Sequence, residues 1–260
     1  MPRTLQFDTP HLGQQVLLYE ELDSTNDEID RLDLASGAIV VADHQTAGRG
    51  QYGRPWSAKP GSSLMMTVQL DPPAHLVRPV ILTALAAVGV AEAILELTGL
   101  QAKIKWPNDL LLRGRKCCGV LIEQRSRTLI GLGLNLNQTA QDWAEAGLPR
   151  AVSLAEMAKK PIDRDVALGC VVKHLDAEYG WLLAGEQVRL EADWKWRIGL
   201  LGRPVAATLV TGELVSGRLH EMSFAGVELE LHGGGGFRVL PPELIRNMIS
   251  MNENLQTRHP

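Results

Sequence analysis

The stretch VILTALAAVGVAEAILELTGL, residues 80–100, restricts the fold of this chain more than any other segment. It is too long for a strand, and a helix built from it is apolar on every side rather than along one stripe. Such a helix either crosses a bilayer or is enclosed by protein. Glu92 and Glu96 sit inside it, where a carboxylate would be costly in hydrocarbon, and Gly99 follows where a left-handed cap belongs. The stretch therefore reads as a buried core helix over 78–97, and the remaining chain must supply layers to cover it.

Strand-like runs are available for that purpose. LLYEEL leads through Asp23–Asn26 into a short helix, in which Thr25 and Glu28 have capping-box spacing and Ser24 or Asp23 are rival caps. GAIVVADHQ (37–45) and SSLMMTVQL (62–70) read as strands, and AKIKWPNDLLL (102–112) as a strand cut by Pro107. GRKCCGVLIEQ (114–124) and TLIGLGLNLN (128–137) form an expected hairpin through Arg125–Arg127. Two further helices are expected over 163–183, with Asp163 as cap, and over 187–200. From Gly199 the texture changes to short β-like pieces broken by Gly and Ser, the pattern of a small barrel or sandwich. The expected organisation is an α+β domain, 1–199, with a mixed β-sheet flanked by helices, followed by a small β domain, 200–260.

With 260 residues, 45% hydrophobic and 22% charged, the chain has ample core material for this plan. A net charge of −4 argues against a generic nucleic-acid binder, though not against a local basic site. Cys117, Cys118 and Cys170 form no disulfide or zinc pattern, and the N-terminus lacks a signal-peptide core. A cytoplasmic location is expected.

Three constellations carry chemistry. AGRGQYGRPW (47–56) contains G-x-G-x-x-G at Gly48, Gly50 and Gly53. A dinucleotide turn needs a helix to start at its last glycine, and Arg54-Pro55-Trp56 with Pro60-Gly61 do not propagate one. What remains is a flexible loop whose Arg49 and Arg54 suit phosphate oxygens, or else a solvated surface turn. In KWPNDL (105–110), Lys103 and Lys105 share one strand face while Ile104 and Trp106 take the other. In TLIGLGLNLN, Ile130, Leu132, Leu134 and Leu136 line one face. The other reads Leu129, Gly131, Gly133, Asn135, Asn137, which admits a ligand or another element closely. The run His232–Gly236 imitates an esterase oxyanion loop, but no nucleophile elbow follows it, so it reads as a hairpin loop.

DSTN (23–26), Gln45, GRGQYGRPW (48–56), KWPNDL (105–110), GVLIE (119–123) and GLGLNLN (131–137) occur together and in order. In that combination the chain resembles the biotin protein ligases. The resemblance implies the class II aminoacyl-tRNA synthetase/biotin ligase-like fold with a C-terminal SH3-like barrel. It also implies a two-step reaction: biotin and ATP, with Mg²⁺, give biotinyl-5′-AMP, which is then attacked by a carrier lysine. The implied partner is the biotin carboxyl carrier protein of acetyl-CoA carboxylase, with no DNA or membrane partner and a homodimer left open. Because the pattern starts within twenty residues of Met1, a member without the helix-turn-helix repressor domain is expected.

The family roles fall on individual positions. Lys105 and Arg49 are implied as catalytic, Lys105 bridging the biotin carboxylate and the α-phosphate. Ser24, Thr25, Asn26 and Gln45 are implied as polar biotin contacts, alongside Gly48, Arg49, Gly50, Trp56 and Lys105. Gly119, Gly131 and Gly133 would leave room for the biotin ring and chain. Arg49, Arg54, Trp56, Asn108 and Asn135 are implied at ATP, and Trp143 as an adenine-stacking aromatic. The chain departs from the family where Gln51 replaces a common arginine, which lowers the charge available to retain the adenylate. Two rivals stand beside this reading: a lipoate or octanoate ligase, and a sensor that binds biotin without transferring it.

Overall fold

The computed structural model describes residues 2–231, 233 and 235–251. His232 and Gly234, within the glycine run read above as a hairpin loop, lie outside the described residues.

The apolar stretch forms helix α2, Pro79–Thr98. Pro79 starts it, at a position where a missing N–H costs nothing. Gly99 ends it at φ 72°, its N–H returning to Leu95 O at 2.8 Å. Burial runs almost without break from Val80 to Ile94. It is the one helix among the described residues long and apolar enough to cross a membrane, and 78% of that window is buried inside the protein. Both internal acids have partners. Glu92 pairs with the buried Arg197 of α6 (Gln187–Ile198), and Glu96 with Lys173 and His174 of α5 (Arg164–Leu183).

The main sheet has eight strands, β1 (Arg3–Leu5), β2 (Val16–Leu22), β3 (Ile39–Gln45), β4 (Ser63–Leu70), β5 (Lys103–Lys105), β6 (Asp109–Leu112), β7 (Arg115–Gln124) and β8 (Thr128–Asn135). Their spatial order is β1-β2-β3-β4-β8-β7-β6-β5. Only β2 and β3 run parallel, joined by the crossover helix α1, Thr25–Arg31. Alternation gives the sheet two unlike faces. Leu64, Met66 and Val68 of β4 and Ile130, Leu132 and Leu134 of β8 join α2 in the main apolar core. The opposite face carries Thr67, Gln69, Gly131 and Gly133, with a small cluster of Ile29, Val40 and Leu129 under α1.

A second, antiparallel sheet follows, with strands β9 (Pro204–Leu209), β10 (Leu214–Met222), β11 (Val227–Leu231), β12 (Phe237–Leu240) and β13 (Ile245–Ser250) in the order β12-β11-β10-β9-β13. The architecture is the expected mixed α+β sheet with a smaller C-terminal β unit. Three aromatics join the units: Trp194 of α6 packs 5.5 Å from Trp106 and 5.2 Å from Phe224. Trp106 Nε1 donates to Ile245 O at 2.8 Å.

Ser24, not Thr25, caps α1, its hydroxyl accepting from Asp27 N at 3.4 Å. Thr25 is turned inward instead. Sequence reasoning missed β1 and two short helices, α3 (Ala140–Glu145) and α4 (Leu154–Ala158). Both helices are too short for a periodic signal and are held by their caps, Thr139 with Asp142, and Ser153.

Helices α2 and α5 pack closely at Gly89. A methyl group there would lie 2.9 Å from Leu175 Cδ2 and 3.2 Å from its Cα. Gly89→Val should therefore cost about 1–3 kcal/mol through overpacking. Urea unfolding should show a lower midpoint with an unchanged slope.

Candidate active site

On the polar face of the main sheet lies a cavity of about 810 Å³, walled by the 47–57 loop, the 105–109 turn, β7, β8, the 147–151 segment and β13. Every residue expected at the site from the sequence borders it except Gly48, which holds the neck of the loop.

The floor presents uncharged side chains from the start of α1 and from Gln45, joined by hydrogen bonds that end on the Glu123 carboxylate outside the lining. Gln45 Oε1 accepts from Thr25 N at 2.8 Å and Thr25 Oγ1 at 3.1 Å. Thr67 Oγ1 lies 2.8 Å from Thr25 Oγ1 and also donates to Asn26 Oδ1. Asn26 Nδ2 donates to Glu123 Oε2 at 2.8 Å. Ser24, Thr25 and Asn26 are all buried, so this set is fixed before any ligand arrives.

The glycine-rich segment folds back on itself through a single 3-10 turn, Gln51–Gly53, without starting an α-helix. Trp56 N donates to Gly48 O at 2.8 Å and Gly50 N to Arg54 O at 2.7 Å, with an isolated bridge between Arg49 and Pro55. A side chain at Gly48 would overlap the Trp56 carbonyl. Its glycines thus serve a tight reversal and not a dinucleotide turn. At the tip Tyr52 adopts φ 59°, and the Arg246 guanidinium of β13 stacks on its ring at 4.5 Å.

Three details go beyond these expectations. Gly119 and Gly133 leave space, but the Trp56 indole occupies it. A methyl at Gly133 would overlap the ring, and one at Gly119 would lie 3.2 Å from Trp56 Cζ3. Gly131 likewise admits Asn26, whose Oδ1 would be 2.7 Å from a methyl there. The buried Trp56 Nε1 has no hydrogen-bond partner among the described residues. Second, Arg49 is held by carboxylates. It forms a bidentate pair with Asp27 at 2.6 and 2.6 Å and reaches Glu123 at 3.4 Å. Arg125 bonds both carboxylates from the outside, at 2.9 and 3.0 Å. These hydrogen bonds hold the Asp27 carboxyl far below its usual range and raise the Arg49 guanidinium further above its own. Third, the amides of Asn108 and Asn135 are engaged by backbone. Asn108 Nδ2 donates to Val120 O at 2.6 Å and Asn135 Nδ2 to Val152 O at 3.1 Å, fixing the turn and the rim.

Lys105 and Arg54 border the cavity with no ion-pair partner among the described residues. Lys116, which sequence reasoning missed, stands beside them. Its Nζ is 2.6 Å from Asp109 Oδ1 and 5.6 Å from the centre of the Trp56 ring. A register shift between Leu110 and Leu111 breaks the strand alternation that parity reasoning relies on. Thr208, Arg246 and Asn247 were also missed, because only the docking of the second sheet brings them to the cavity. Trp143 lines the far end, with Nε1 3.2 Å from Glu156 Oε2. The lining thus carries six cationic side chains, Arg49, Arg54, Lys105, Lys116, Arg150 and Arg246, and one carboxylate, Asp109. In a chain of net charge −4, that concentration makes an anion site.

Residues 18–137 match the biotin/lipoate A/B protein ligase family. The bifunctional ligase/repressor BirA of Bacillus subtilis is 38% identical over 165 residues, 60% of this chain and 51% of that protein. The chain thus spans about half the length of such relatives. The biotin--[acetyl-CoA-carboxylase] ligase of Paracoccus denitrificans is 31% identical over 241 residues, 84% of this chain and 95% of that protein. Among solved structures, a mutant biotin protein ligase from Aquifex aeolicus in complex with biotin superposes with TM-score 0.76 at 26% identity, covering 90% of this chain and 97% of that one. The same organism's ligase in complex with biotin and ATP gives TM-score 0.78 at 24% identity over 90% and 98% of the two chains, a likeness of fold. An uncharged polar floor, a reversed glycine loop and a ring of cations therefore stand in a chain that belongs to the biotin/lipoate A/B protein ligase family.

Proposed function

We propose that the chain is a biotin protein ligase, joining biotin to AMP and then passing biotin to a lysine of a biotin carboxyl carrier protein, that of acetyl-CoA carboxylase. The observation that carries this reading is the pairing of an uncharged floor with six cations around one cavity. A fused ureido ring with a carboxylate tail, meeting a triphosphate, needs both. The Paracoccus denitrificans relative, named for the same reaction, supports it over nearly its whole length. The three cysteines are free thiols and buried, in keeping with a reducing cytoplasm.

In the first step a biotin carboxylate oxygen attacks the α-phosphorus, and the bond to the bridging oxygen breaks, releasing pyrophosphate. The reacting groups are both anionic. Lys105, which lines the cavity without a carboxylate partner among the described residues, is the cation assigned to bridge them as charge builds in the transition state. Arg54 and Lys116 neutralise the remaining phosphate oxygens. Arg49, locked to Asp27 and Glu123, holds the loop base against α1 and presents a fixed rather than a mobile charge. Ser24, Thr25, Asn26 and Gln45 offer the ureido group its donors and acceptors. In the second step a carrier lysine amine attacks the acyl carbon, AMP leaves, and the amine loses a proton to form the amide.

Mg²⁺ fits this lining as an ion carried by the triphosphate, since Asp109 is the one carboxylate at hand and such ions keep few protein ligands. When bound it supplies charge neutralisation on the phosphates.

Pyrophosphate release with biotin and ATP, with lipoate in place of biotin as the control, tests the reading. Release without biotin dependence, or preference for lipoate, would overturn it. Lys105→Ala should lower adenylate formation by about 10²–10³-fold, while urea unfolding stays near wild type; normal turnover would reject the role given to Lys105. Gln51→Arg should add a cation at the loop and slow escape of the adenylate. A bystander protein should then be biotinylated less than by the natural chain, and equal labelling would remove Gln51 from the account.

A further inference from the structure

Away from the cavity, the last turn of α2 and the middle of α5 bring three unlike donors together. Cys170 and His174 stand one helical turn apart on α5 and share a face; Glu96 reaches them from α2. The sulfur, a ring nitrogen and a carboxylate oxygen all lie within 4.8 Å of one another. His174 Nε2 is 2.7 Å from Glu96 Oε2, and Lys173 Nζ donates to the same carboxylate at 2.8 and 3.1 Å. Cys170 is buried, His174 half-buried and Glu96 exposed, so the cluster opens to solvent on the carboxylate side. None of the three borders the cavity.

We propose that Glu96, Cys170 and His174 form a binding site for a divalent transition-metal ion of the zinc class, separate from the ligase site. One thiolate, one imidazole and one carboxylate suit zinc or cobalt, whereas magnesium and calcium prefer oxygen throughout. Three protein ligands leave a fourth position for water on the open side. Ligand bonds of about 2.0–2.3 Å place tetrahedral donors roughly 3.3–3.8 Å apart, so small rotamer shifts suffice. The backbones are held by the close α2–α5 contact at Gly89 and Leu175.

Binding is an exchange without redox change. The ion replaces the Lys173 ammonium on the carboxylate, the Cys170 thiol gives its proton to solvent, and a sulfur–metal bond forms. Lys173 is therefore a built-in competitor, and its removal should tighten binding.

Cobalt(II) is the probe, titrated into the purified full chain and then displaced with zinc(II). One equivalent should produce a near-ultraviolet sulfur-to-cobalt charge-transfer band that zinc bleaches. Cys170→Ser should abolish the band although Cys117 and Cys118 remain. His174→Ala should weaken cobalt binding by more than about tenfold, and Lys173→Ala should strengthen it about two- to fivefold. Circular dichroism establishes that each variant is folded. The last two substitutions are at accessible positions, so they decide the matter even if Cys170→Ser unfolds. No charge-transfer band in the natural chain, a band surviving in Cys170→Ser, unchanged affinity in His174→Ala or no tightening in Lys173→Ala would each overturn the site.

Discussion

Strand β8 is asked to satisfy two demands at once, and the rest of the structure follows from how it does so. On one face Ile130, Leu132 and Leu134 meet the apolar core around α2, each such burial contributing about 1.5–3 kcal/mol. On the other, Gly131 and Gly133 remove side-chain bulk so that Asn26 and Trp56 can press onto the backbone. A strand with β-branched residues on both faces would pack well and leave no site. Because α2 is enclosed, the sheet can spare its second face for chemistry.

That second face is pre-organised more by its own hydrogen bonds than by open space. The Gln45–Thr25–Thr67–Asn26–Glu123 chain runs from the floor into the carboxylates that clamp Arg49, so the base of the glycine loop and the start of α1 form one unit. The outer part of the loop is tied differently, by Tyr52 against Arg246 of the second sheet. The cavity is therefore shared between the two sheets. Cations whose carboxylate partners lie outside the lining, and those without such partners, together set its positive field.

Much of the fold was legible in the sequence because its strongest signals are local. The all-round apolar stretch, the Gly99 cap, the β7–β8 hairpin and the Asp163 cap needed no distant partner to be read. The short helices α3 and α4 were not, since two turns or fewer carry no period. The capping pair Thr139 and Asp142 was the one clue to α3. At the site, Lys105, Arg54 and the polar floor could be named from their motifs. Lys116 was hidden by the bulge in β6–β7, and the carboxylates that hold Arg49 could not be read because Asp27 and Glu123 lie 22 and 74 residues away in the chain.

The sequence by itself determined which residues could be strand, helix or turn, that residues 80–100 had to be enclosed, and that the glycine loop could not open an α-helix. Those are questions of period, propensity and φ, settled within a few residues. Tertiary structure alone decided what fills the gaps the glycines leave, which cations face the cavity without a carboxylate, and that β13 closes one wall. Those depend on distances between residues far apart in the chain. The same holds for Glu96 meeting Cys170 and His174, which the packing of α2 on α5 brings together across more than seventy residues.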